Sequence, residues 1–300
     1  MLGTSSFHAG EVAVQQRAGR VLGGRIRSSI PPVAATFLST HEFCVVAGRG
    51  AEGQVWTSML CGPAGFLGAD DDDTMRVRAH ALVTDPLHHL LTTGGDVGTI
   101  VMDSRRRMRV NGVLVPTTDG FTIRTEQVFS NCGRYISDRQ GTLRDTRPGP
   151  VTGGTELSAA QMRLVREADT FFIGTCHPEG ATDASHRGGN PGFIQVDSPG
   201  ALRWPDYDGN AMFMTLGNLS LDPRVGLLFL NWTTGTLLQV TGRATLDWST
   251  QAAAELPGAQ RVVRMSIDAV QQSEHAVPMR WTAPVLSRFN PSEAAVSVDR

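Results

Sequence analysis

The sequence predicts a mainly β chain with a few short helices, an α+β fold built as two small closed or partly closed barrels in tandem. Three observations carry this. Short apolar runs alternate with turn residues. The second half of the chain matches the first at a nearly constant offset. A Gly-, Pro- and Thr-rich stretch, RDTRPGPVTGGT around residues 145–156, lies at the middle without apolar periodicity. Three hundred residues with 33 Gly and 16 Pro, 40% hydrophobic and 19% charged, suit a globular chain able to bury a sizeable core. These features divide it into residues 1–146, a linker at 147–156, and residues 157–300.

The elements follow in chain order. His8 to Arg20 reads as a helix that extends the first repeat at its N-terminus. Glu52, Gly53, Ser58, Gly65 and Phe66 recur as Glu179, Gly180, Ser185, Gly192 and Phe193, each 127 positions on, the signature of a tandem repeat. Asp85 to Leu91 reads as a short helix whose partner lies around Leu216 to Leu221. Residues 97–103, 108–115 and 121–128 read as strands, the last alternating as a strand with one wet face. Ser158 caps a predicted helix to Ala168. Residues 226–232 and 236–242 flank Thr-Thr-Gly, a hairpin signal. Val97-Gly98 aligns with Val225-Gly226, and Asn111-Gly112 with Thr241-Gly242, so the offset drifts as loops change length.

All 27 basic residues are Arg; the chain has no Lys. Pyridoxal-phosphate aldimines, Schiff-base aldolases and lysine general bases need an amine that loses its proton, which guanidinium does not. Phosphate loops and kinase sites that use Lys are likewise disfavoured, and no GxGxxG follows a strand. Anions are left to Arg, hydroxyls and backbone N–H. The 29 acidic residues give a net charge of −2, which argues against a nucleic-acid surface. Cys44, Cys61, Cys132 and Cys176 have neither disulfide-scaffold nor zinc spacing. No apolar run reaches signal-peptide or membrane length, so the expectation is a cytoplasmic protein without a membrane partner.

The densest polar segment runs from Thr182 to Phe193, TDASHRGGNPGF. Ser185 and Arg187 offer side-chain donors, and the glycines let backbone N–H approach an anion closely. The same segment also reads as a strand and a glycine turn. Asp206, Asn210, Thr215 and Asn218 lie among aromatic and Met side chains, as a flat polar-headed ligand requires, or as turns, a cap and plain core require. Ser104 to Arg109 concentrates four Arg at a hairpin, a solvated turn except for Arg109, which alternation could aim at an anion. Asp70 to Asp73 fits no calcium loop, and His8, His88 and His89 lack a ligand pattern, so no metal is expected. Arg134 stands two residues from Cys132 and could lower its thiol pKa, although a structural Cys is the simpler reading.

Together the opening FHAGEVAVQQRAG (7–19), SNCGRYI (130–136), Ser-His-Arg-Gly-Gly (185–189), Leu-Gly-Asn-Leu (216–219) and residues 223–229 through Thr241-Gly-Arg-Ala244 resemble the FMN-binding split-barrel superfamily, proteins similar to pyridoxamine 5'-phosphate oxidase. A duplicated branch fits best, so the resemblance implies tandem split β-barrels pairing within the chain as a pseudo-dimer, or whole chains forming a homodimer. It further implies FMN and flavin-mediated hydride or electron transfer on a small-molecule substrate, with NAD(P)H or a separate reductase as donor. Ser185, Arg187 and Thr215 would meet the phosphate. His186, Gly188, Gly189 and Phe193 would lie nearer the ring, with Asn210 and Asn218 hydrogen bonding. Arg134 and Tyr135, or Arg280 and Trp281, would close the site. If an acid or base is required, the imidazole of His186 is the first choice and Tyr135 the second. The Arg-x-x-x-Leu-Lys strand motif of the oxidases themselves has no counterpart, so the resemblance does not reach the vitamin B6 substrate. A noncatalytic flavin-binding or electron-transfer module, and a haem- or deazaflavin-binding barrel, remain open alternatives.

Overall fold

The computed structural model describes residues 7–20, 26–104 and 106–292; the Cys132 side chain lies outside them. The first half contains helices α1 (Ala9–Arg17), α2 (Pro32–Ser39) and α3 (His88–Thr93). Its strands are β1 (Phe43–Arg49), β2 (Val55–Cys61), β3 (Leu67–Ala69), β4 (Thr74–Val77), β5 (Gly95–Met102), β6 (Arg106–Thr117) and β7 (Gly120–Cys132). Two short strands follow, β8 (Gly141–Leu143) and β9 (Val151–Gly154). The second half contains α4 (Ala159–Glu167), α5 (Met214–Leu221) and α6 (Thr250–Ala254). Its strands are β10 (Thr170–Cys176), β11 (Thr182–Gly188), β12 (Gln195–Ser198), β13 (Ala201–Asp206), β14 (Arg224–Asn231), β15 (Thr236–Asp247), β16 (Arg261–Ser273) and β17 (Met279–Trp281).

The repeat read from the sequence is visible in the pairing. One sheet runs β2-β1-β5-β6-β7-β4-β3 and the other β11-β10-β14-β15-β16-β13-β12, the same order with each strand replaced by its counterpart. The bulge between Asn111 and Gly112 recurs between Thr241 and Gly242, fixing the register of the long central hairpin in both halves. Each sheet wraps its own core. One contains Phe37, Trp56, Met75 and Phe121. The other is built on Phe171, which meets Phe193 at 5.8 Å, Phe229 at 5.5 Å and the edge of Trp204 at 5.4 Å.

A third apolar cluster joins the halves, with Val45, Ala47 and Ile100 facing Phe172, Ala184 and Leu228. Its closeness depends on two equivalent glycines. A Cβ on Gly98 would stand 2.6 Å from the Ala184 nitrogen, and one on Gly226 2.6 Å from the Val55 oxygen. β5 therefore presses on β11 and β14 on β2, a reciprocal contact that no larger residue would allow.

Two passages differ from the sequence reading. The stretch read as a linker contains β9, which pairs with β16, while β8 pairs with β17. All four residues of β9, Val-Thr-Gly-Gly, are exposed, so its strand character rests on backbone pairing and leaves no apolar pattern to read. The helix read from His8 to Arg20 is α1, capped by His8 and lying against α5, with Val14 in the second core.

Candidate functional site

A cavity of about 490 Å³ opens where β6 and the end of β7 meet β11, the segment 205–213 and the start of α5. Strand alternation puts Ser185 and Arg187 on one face of β11. The Arg187 Nη1 donates to Ser185 Oγ at 3.3 Å and to the His186 carbonyl at 3.0 Å. Alternation on β6 likewise brings both Arg107 and Arg109 to the cavity. Arg109 is paired with Asp183 and lies over the Phe129 ring at 4.8 Å, yet its buried Nε has no hydrogen-bond partner among the described residues.

The floor is the first turn of α5. Phe213 precedes the helix in a left-handed conformation (φ 56°) and gives no side-chain cap. The first helical hydrogen bond is donated by Gly217 to the Phe213 carbonyl. The N–H groups of Met214, Thr215 and Leu216, all at the cavity, donate no hydrogen bond among the described residues, which makes an anion-seeking helix terminus. Backbone strain gathers around the same space. Of the four left-handed residues other than glycine among those described, Tyr135, Ala211 and Phe213 line the cavity.

The rim is tied down from both halves. The carboxylate of Asp208 accepts from Arg20 at 2.6 Å and from Arg134 at 3.1 Å, and its carbonyl accepts from the Tyr135 hydroxyl at 3.0 Å. The only two tyrosines in the chain, Tyr135 and Tyr207, meet here with ring centroids 5.0 Å apart. Burial, with Tyr135 nearby, pushes the Tyr207 phenol up to about 12, so it stays protonated in the neutral range. Burial also raises the Asp206 carboxyl, against the opposing pull of Arg187 and Arg261.

His186 is enclosed beside the cavity. Its side chain faces Phe172, and its Nδ1 stands 3.0 Å from Arg107 Nη1. Guanidinium can only donate, so Nδ1 accepts and the proton sits on Nε2, which is buried without a partner among the described residues. Burial, followed by the charges of Arg107, Arg187 and Arg139, holds this imidazole well below its ordinary pKa. It is a neutral acceptor that orients Arg107, whose Nη2 also donates to the Arg134 carbonyl at 2.8 Å.

Of the residues singled out in the sequence, Ser185, His186, Arg187, Gly188, Phe193, Asn210, Thr215, Arg134 and Tyr135 meet at this cavity. Gly188 is needed there because any Cβ would collide with the Tyr135 carbonyl. Gly189 lies beyond the lining, in the turn against Phe193. Asn218 sits one turn down α5, its Oδ1 3.0 Å from His8 Nε2 and its Nδ2 donating to Thr175 Oγ1 at 3.0 Å. Arg280 and Trp281 are elsewhere. Arg280 donates to the carbonyls of Val277 and Met279, and Trp281 packs on Trp232. The paired registers end at Cys132 and Ser273, and each is followed by a turn with a left-handed residue, Tyr135 in one half and His275 in the other, so Arg280 and Trp281 lie beyond the place equivalent to Arg134 and Tyr135. Arg107, Arg20 and Tyr207 were not anticipated. The i, i+2 spacing of Arg107 and Arg109 was the legible signal, hidden inside a run that looks like a solvated turn.

Beneath the site, the Glu11 carboxylate accepts from the His8 N–H at 2.8 Å. Burial pushes this carboxyl up to about 7, with Asp183 also raising it and the His8 N–H and Arg109 opposing. Cys44, Cys61 and Cys176 are free thiols, all pushed up by burial, and the reading of Cys132 falls on a side chain outside the described residues. No group of three metal-ligating side chains occurs among the described residues, and no helix is long and apolar enough to cross a membrane.

Comparison with known proteins gives one family. Residues 157–283 match the model for pyridoxamine 5'-phosphate oxidase. No curated protein matches the chain. Among solved structures, a putative pyridoxamine 5'-phosphate oxidase from Lactobacillus delbrueckii is 19% identical (TM-score 0.33), covering 39% of this chain and 94% of that one. An FAD-binding protein from Mesorhizobium loti is 17% identical (TM-score 0.30; 41% and 97%), and an FMN-binding protein from Syntrophomonas wolfei 8% (TM-score 0.28; 42% and 86%). Over residues 157–283, less than half of its length, this chain is thus similar to the pyridoxamine 5'-phosphate oxidase family.

Proposed function

We propose that the cavity binds FMN, its phosphate at the start of α5, and that the protein works as a flavin-dependent oxidoreductase on a small molecule. One observation carries the reading. The uncapped N–H groups of Met214, Thr215 and Leu216 converge with Arg187, Arg109 and the hydroxyls of Ser185 and Thr215 on one cavity. Positive charge, a helix terminus and hydroxyl donors form the donor set a phosphate monoester takes when lysine is absent. The orphaned Nε of Arg109 fits an additional acceptor, and a cavity of about 490 Å³ suits a cofactor.

When bound, the flavin supplies hydride or electron transfer. The chain's own groups bind and enclose it. Arg187 and Arg109 balance the phosphate charge, the Tyr135–Tyr207 pair forms an aromatic wall, and the solvent-exposed Arg20–Asp208–Arg134 bridge ties the rim together. Neutral His186 holds Arg107 in place, and Tyr207 remains a protonated donor. A noncatalytic flavin module served by a separate reductase is the second reading, since no GxGxxG motif for a nicotinamide cofactor follows a strand.

Titration with FMN, followed by flavin absorbance and protein fluorescence, tests the proposal. Saturable binding is expected, with Arg187→Ala weaker by about 1.5–3 kcal/mol, the value of a hydrogen bond to a charged group. Protein that binds no FMN refutes it, and bound flavin reduced only when a reductase is added selects the second reading. A haem band, or binding of a deazaflavin alone, would identify a different cofactor.

A further inference from the structure

A second cavity, of about 220 Å³, lies between the halves and includes Met59, Leu60 and Asp85 of the first and Leu237 of the second. It is the counterpart of the first. Ser58 faces Val46 across β1–β2 as Ser185 faces Ile173 across β10–β11. Gln239 faces Leu228 across β14–β15 as Arg109 faces Ile100 across β5–β6. By the same registers Leu60 stands for Arg187 and Leu237 for Arg107. Arg107, Arg109 and Arg187, the three strand guanidiniums of the second-half site, thus each have an uncharged residue in their place.

The hydroxyl and the backbone donor remain, and they point at Asp85, two residues before the Leu87 N-cap of α3 as Ala211 is two before the Phe213 N-cap of α5. Asp85 accepts from the Leu87 N–H at 2.8 Å and from the Ser58 hydroxyl at 2.6 Å, with Gln239 Nε2 3.4 Å away. Gln239 donates to Ser58 Oγ at 2.6 Å, and the Ser58 hydroxyl donates to Asp85. The partners of Asp85 are thus donors, as a bound anion requires, and they oppose the burial that raises its carboxyl pKa.

We propose that this second pocket is a self-occupied counterpart of the ligand site. The Asp85 carboxylate takes the place that the ligand's anionic group takes in the second half, and the chain holds one phosphate-bearing cofactor rather than two. The cofactor's identity rests on the flavin reading above; the occupation by Asp85 does not. The cationic set survives only around Arg187, so the two halves share a scaffold and divide its use.

Two measurements test this. FMN titration of the wild type should end at one equivalent per chain, and Arg187→Leu, which copies Leu60, should weaken that transition roughly 10- to 150-fold. A second equivalent in the wild type, or a variant that keeps wild-type affinity, overturns the proposal. The second arm needs no flavin. Asp85→Ala should melt higher in formate than in chloride at equal ionic strength, with no such difference in the wild type. If the variant folds only poorly in chloride, its refolding yield in formate gives the same reading. No formate effect by either measure overturns the role of Asp85. Absence of FMN binding would refute the flavin reading, while the formate result still decides this one.

Discussion

Replacing Glu11 with Gln offers a quantitative probe of the buried layer beneath the cavity. The carboxyl is 1% exposed, accepts from the His8 N–H, and has His8, Asp183 and Arg109 as its titratable or charged neighbours. Burial raises its pKa from the ordinary 4.5 to about 7, which at about 1.4 kcal/mol per tenfold change in proton affinity comes to about 3 kcal/mol. The folded state binds more protons than the unfolded state between these two values. Stability from this group is therefore complete below about 4.5, falls as the pH rises, and stays low above about 7. Gln keeps the carbonyl acceptor and never ionises. Urea denaturation at pH 5, 6, 7 and 8 should show the wild type losing stability across this window relative to the variant. At pH 8 Glu11→Gln should be more stable by up to about 3 kcal/mol. Parallel profiles for the two proteins would refute the assignment of a protonated, buried Glu11.

Two further substitutions follow from packing. Gly188→Ala sets a Cβ against the Tyr135 carbonyl, so the wall carrying Arg134 and Tyr135 must move; about 1–3 kcal/mol of stability should be lost together with FMN affinity, and unchanged values for both would refute the close approach. Trp204→Ala empties the centre of the second core, where Trp204 is fully buried against Phe171, and should cost about 3–5 kcal/mol by urea denaturation, a loss below about 1 kcal/mol being incompatible with that packing.

The sequence is legible where one residue type has one use. Ser158 before a helix, Thr-Thr-Gly between apolar runs and the paired Val-Gly steps at 97–98 and 225–226 each correspond to the structural feature expected of them. The cluster Ser185 to Gly188 was readable because hydroxyl, guanidinium and glycine crowd together. The surroundings of His186 are not legible, because its partner Arg107 is far away in sequence and is brought to 3.0 Å only by the packing of the two halves. Arg280 and Trp281 were displaced because the drift in offset along β16 cannot be followed without its pairing register. Asp85 looked like a helix-start residue, and its role emerges only when Ser58 and Gln239 close around it.

The reciprocal wedge of Gly98 and Gly226 has a consequence for dilution. Two separate barrels meeting on such a surface would part as their concentration fell, and any pocket built from both would disappear with them. Here residues 133–158 connect the two bodies, so each meets its neighbour at a fixed high local concentration. A pocket walled by β6 of one half and β11 of the other therefore persists at concentrations where a free pair would have come apart, and each half is released from having to mirror the other.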